Sequence, residues 1–211
     1  DMAGNMGLIA KKCFSNATRV TDRFHVQKLA TEALQEIRIK YRWQSIDLEN
    51  DAIEKAKKAN KKHQPEVLPN GDTLKQLLAR SRYFLYKNKS KWSENQIERA
   101  RLLFELYPDI QKAYNLTQDL RNIFEKTTDK IIGLSRLAKW HEKVNQSGFK
   151  SFNTISRTII NHYQTILNYF DNRSTNASAE SFNAKIKAFR SQFRGVRNIE
   201  FFLFRLTNIY A

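Results

Sequence analysis

Only three prolines and six glycines interrupt the 211 residues of this chain, and between them apolar side chains recur every three or four positions. That period lays an apolar stripe along one side of a helix, so the chain is predicted to be mainly helical. Met6, Ile9, Ala10 and Cys13 mark a first helix over about residues 3–14. Ala17–Phe24 (ATRVTDRF) breaks the pattern, is rich in β-branched residues, and is the best strand candidate. From His25 the helical spacing returns through Leu29, Ala33, Ile37 and Tyr41, continuing or restarting toward Lys62.

Residues 63–71 (HQPEVLPNG) hold two prolines and an Asn-Gly pair, which makes them a loop. Helices are then predicted over roughly 72–86, 93–106, 109–127, 129–146, 150–170, 178–193 and 198–209. Ser93 with Gln96 has capping-box spacing, and Pro108 suits a first helical turn. Ser147-Gly148, the polar stretch DNRSTNA (171–177) and Gly195 supply the remaining breaks. No fixed-period repeat is present, which argues against a solenoid. One strand alone cannot satisfy its own backbone groups, so further strands are expected upstream of residue 1.

Charge narrows the partner. Lys and Arg total 37 against 21 Asp and Glu, a formal excess of +16. Such an excess repels itself unless a polyanion compensates it, and nucleic acid is the usual one. Cys13 is the sole cysteine, which rules out an internal disulfide and a Cys-based zinc site and fits a cytoplasmic location. Apolar runs such as Phe201–Phe204 fall far short of the roughly 20 residues needed to span a bilayer. No secretory signal opens the chain, and a first residue other than Met marks it as a fragment or engineered piece. The mixed-charge stretch Arg38–Lys62 is expected to be mostly a solvated helix face, and Trp43, Trp92 and Trp140 are expected in the core.

Three places set acids in unusual contexts: Asp1 before a helix, Asp22 with His25 where strand passes into helix, and Glu180 in the first turn of another helix. In the last, Phe182, Ile186, Phe189 and Phe193 form one predicted buried stripe. Glu180, Asn183, Ala184 and Lys187 then share a different face, presenting carboxylate, amide and cation together. Taken alone, Glu180 reads first as a macrodipole stabiliser, and His25 equally as a structural histidine.

Together, DRFHV (22–26), NASAESFNAKIKAFR (176–190) and RGVRNIEFFLFR (194–205) closely resemble the ISL-three family of insertion-sequence transposases, over essentially the whole chain. These are DDE transposases with an RNase H-like core and, in some relatives, a large helical insertion. The resemblance implies a mainly α chain in which residues 1–26 are a late part of a partial RNase H-like core. Residues 27–148 would be the helical insertion, and 149–211 would return a core helix carrying the third acid.

Asp1 matches the second catalytic acid and Glu180 the third, both as metal ligands, while the first Asp would lie upstream. An alignment of Asp1 and Asp22 as first and second acids ranks lower, because the helix between them leaves no room for two intervening strands. Asp22, His25 and Asn183 would support the site; Lys185, Lys187, Arg190, Arg194 and Arg197 would bind DNA. The implied chemistry is DNA cleavage and strand transfer in transposition, using two Mg²⁺ or Mn²⁺ ions held by clustered carboxylates. The partners would be transposon ends and target DNA, with a homodimer suggested by synapsis and no membrane; the chain alone would be inactive. The rival reading is a non-catalytic helical DNA-binding or regulatory protein, or a decayed transposase.

Overall fold

A computed structural model describes residues 4–175, 177–193, 195 and 197–210. The chain divides into two compact units, Asp1–Asn172 and Arg173–Ala211. In the first unit the helices run α1 (Gly4–Cys13), α2 (Arg23–Lys58), α3 (Leu74–Phe84), α4 (Glu94–Leu106), α5 (Pro108–Lys126), α6 (Lys130–Ser147), α7 (Lys150–Asn161), α8 (Tyr163–Leu167) and α9 (Tyr169–Asn172). A short 3-10 turn, Lys89–Lys91, joins α3 to α4. The second unit holds α10 (Ala177–Gln192) and α11 (Ile199–Tyr210).

The first unit is organised around α2, which packs against α3, α5 and α7. Val26, Ala30, Ala33 and Leu34 fall on one face at helical spacing and are buried. Small residues at the crossing, Ala30 on α2 and Ala113 on α5, let the two backbones approach. The hydroxyl of buried Thr117 there donates to Ala113 O at 2.9 Å and to Ala30 O at 3.3 Å. α6 contributes the stripe Gly133, Leu137, Trp140 and Val144. The Trp140 indole N–H donates to Leu116 O and the Trp92 indole N–H to Phe84 O, each at 2.8 Å, so both rings are buried with their polar ends satisfied. Trp43 departs from expectation: it is 62% exposed, although Tyr41 and Ser45 on either side of it are partly or fully buried.

The expected strand at Ala17–Phe24 does not form. Among the described residues there is no β-strand, only an isolated bridge between Val67 and Thr73. The partial RNase H-like core, which rests on strands, is therefore corrected to an all-helical architecture. The physical reason lies at Asp22. Its backbone is extended and its carboxylate accepts the Phe24 N–H at 2.8 Å, so the residue that ends the β-branched run also starts α2. The extended residues before it bond to a helix end instead of to a sheet. Thr21 N–H donates to Thr165 O at 2.8 Å, and the Asn168 amide donates to Arg19 O at 2.9 Å. These contacts accompany the division of the expected 150–170 helix into α7, α8 and α9.

A buried charge closes the loop before α3. The Asp72 carboxylate, fully buried, accepts from Arg99 at 2.8 Å and pairs with Arg80. Burial pushes this carboxyl up, but hydrogen bonds and charge from Arg99 and Arg80 outweigh it and hold its pKa below the ordinary value.

Candidate nucleic-acid interface

In the second unit, the turn between α10 and α11 passes through Gly195 at φ 93°, a left-handed conformation that favours glycine. Phe189 is buried, with ring centroids 4.5 Å from Phe193 and 5.3 Å from Phe202. The Arg205 guanidinium lies 5.6 Å from the Phe193 ring. The predicted aromatic stripe is thus only partly buried: Phe189 lies inside, Ile186 and Phe193 are half-buried, and Phe182 is 48% exposed.

Glu180, Asn183, Lys187 and Arg190 follow one another at three- and four-residue spacing on α10, so they share one face, and all four are exposed. Lys187 and Arg190 also line a hollow of about 700 Å³, together with Phe193, Asn198 and Phe202. Asn198 accepts the Phe201 N–H at 3.0 Å and so sets the entry to α11. Lys185 and Arg197 are exposed. This face presents cations over an aromatic floor, a combination that suits phosphate contact beside base or sugar contact. Asp1 and Arg194, two of the expected functional residues, lie outside the described residues.

Asp22 and His25 sit in the first unit. Asp22 is 5% exposed and serves as the cap of α2. His25 is half-buried; its backbone N–H donates to Asp22 O at 3.1 Å, and its Nδ1 has no hydrogen-bond partner among the described residues. No group of three or more His, Cys, Asp or Glu that could hold a metal ion occurs among the described residues. Magnesium is not borne out among the described residues: one Asp22 oxygen is engaged in capping a helix and Glu180 is exposed on α10, while Asp1, the other expected ligand, lies outside them.

A second basic surface escaped the sequence reading. A hollow of about 520 Å³ opens in the first unit between the first turns of α2, the Tyr86–Lys91 turn and the last turns of α5. Arg23, Lys87, Lys91 and Arg121 line it, with Phe24 and Tyr86 as exposed rings. The run KNKSK (87–91), three exposed lysines spaced by Asn and Ser between helices, was its signal. Arg23 and Arg121 join it only through tertiary packing.

The family model for DDE transposases of the ISL-three type, described as Transposase, matches residues 1–206. The chain belongs to this transposase family. No curated protein and no solved structure matches it. Among the described residues, no helix is long and apolar enough to cross a membrane.

Proposed function

We propose that this chain is the DNA-gripping helical part of a transposase that cleaves and rejoins DNA strands to move an insertion sequence, acting on transposon ends and target DNA. The observation that carries the reading is the α10 face, where Lys187 and Arg190 are exposed in line with Glu180 and Asn183, in a chain of net charge +16 that belongs to a transposase family. Cations on that face neutralise phosphates and bring a strand alongside the carboxylate and the amide. Lys185 and Arg197 extend the grip. Asp22 serves the reading indirectly, by fixing the start of α2.

The rival reading, a helical DNA-binding protein without catalysis, is favoured by the capping role of Asp22, which makes that acid structural. One experiment separates the two. In the full transposase, strand cleavage at a transposon end is measured for the parent protein and for Glu180→Gln. The enzyme reading expects loss of cleavage with DNA binding retained. Cleavage unaffected by Glu180→Gln removes that residue from the reaction, and binding without cleavage in the parent protein supports the rival.

A further inference from the structure

We propose that the hollow between α2, the Tyr86–Lys91 turn and α5 holds one unpaired nucleotide of a DNA strand; the proposal rests on the DNA reading above and deepens it. The shared chemistry is that of a nucleoside phosphate, an anion joined to a flat ring. Its volume, about 520 Å³, falls within the roughly 300–1,000 Å³ of clefts that enclose small molecules, so it suits a single nucleotide rather than a duplex.

Charge favours the phosphate. Among the described lining residues four are cationic, Arg23, Lys87, Lys91 and Arg121, against one carboxylate, Glu125. The cradle is held in shape before any ligand arrives. Arg121 donates to Tyr86 O at 2.8 Å and the Tyr114 hydroxyl donates to Lys87 O at 3.0 Å, which ties the turn to α5. Asn88 accepts from the backbone N–H of Ser90 at 3.1 Å, tightening the turn itself.

Two polar atoms of the wall point to a missing partner. Among the described residues, Arg23 Nε and Gln27 Oε1 are buried and have no hydrogen-bond partner, although the Gln27 amide nitrogen donates to Thr117 O at 3.2 Å. A buried donor and acceptor left unmade are costly, and both belong to side chains that line the hollow. The ring has a platform. Phe24 is 57% exposed, with the Arg23 guanidinium 4.9 Å from its centroid, so a base stacking on Phe24 joins a cation–aromatic stack. Double-stranded DNA offers no free base face to this ring; an unpaired nucleotide does.

The test uses the 211-residue chain and fluorescence anisotropy, with circular dichroism to confirm folding of each variant. A labelled duplex bearing a short single-stranded thymidine overhang is compared with the same duplex blunt-ended. The overhang is expected to bind about tenfold tighter, the scale of one stacked base. Phe24→Ala should reduce the overhang duplex to the affinity of the blunt one, and Phe24→Tyr should restore the difference. Equal binding of the two duplexes by the parent chain, or a preference untouched by Phe24→Ala, overturns the proposal while leaving the DNA reading standing. Failure of both duplexes to bind overturns the DNA reading itself. Displacement of the overhang duplex by micromolar free thymidine monophosphate assigns the hollow to a free nucleotide and overturns the strand proposal.

Discussion

The two units hold their helices by different means. In the first, α2, α5 and α6 share a continuous core in which Trp140, Phe124 and Phe152 are buried and the polar ends of both buried tryptophans are hydrogen-bonded. In the second, the described buried apolar side chains are Phe189 and Leu206, while Ile199, Phe201, Leu203 and Phe204 stay exposed on α11. Packed apolar area is what offsets chain entropy, so the first unit carries its own stability and the second draws little from its own contacts. The proposed DNA grip on α10 lies on the weakly held unit, and the nucleotide hollow lies on the well-held one.

The largest expected effect tests that contrast directly. Trp140→Ala removes a buried indole and its hydrogen bond, and should cost about 3–5 kcal/mol in denaturant unfolding. Phe189→Ala should leave the main unfolding transition in place while speeding hydrogen exchange in α10 and α11. A loss of the main transition on Phe189→Ala would break the comparison.

A smaller effect is expected at the α6–α9 contact. A Cβ built on Gly133 would come within 2.8 Å of the Phe170 ring, which itself stacks on Phe124 at 5.7 Å. Gly133→Ala therefore overpacks the core and should destabilise it by about 1–2 kcal/mol, despite the gain in helix propensity. Chemical denaturation followed by tryptophan fluorescence measures it, and an unchanged midpoint would show that the ring moves aside freely.

The smallest effect is one of pH. Because the folded Asp72 carboxyl titrates below its ordinary 3.8, its contribution is fully present above that value and is lost as pH falls through the lower, folded value. Asp72→Asn should flatten the stability profile in that acid window. Equal acid sensitivity in parent and variant would place the dependence on other carboxylates.

Local signals spelled out much of the helical layout. Ser93 and Gln96 form the capping box, Pro108 opens α5, and Gly148 closes α6 in a left-handed conformation, each where its chemistry places it. What escaped was decided at long range. The β-branched run 17–21 had strand propensity, yet its hydrogen bonds go to Thr165 and Asn168, about 145 residues away, which no local pattern announces. Phe182 fits a helical stripe whose neighbours do not cover it, and Trp43, expected inside, is exposed. The basic cluster 185–197 was legible from charge alone, whereas the hollow around Phe24 needs three distant segments brought together before its side chains form one wall.

The DNA grip is tested most directly by the salt dependence of duplex binding. For the parent chain and for Lys187→Ala, Arg190→Ala and Arg197→Ala, the logarithm of affinity is plotted against the logarithm of salt concentration. Each lost phosphate contact should reduce the slope by about 0.9, and the triple variant should bind with the shallowest dependence. Slopes that stay at the parent value across all three substitutions would contradict the assignment of this face to DNA.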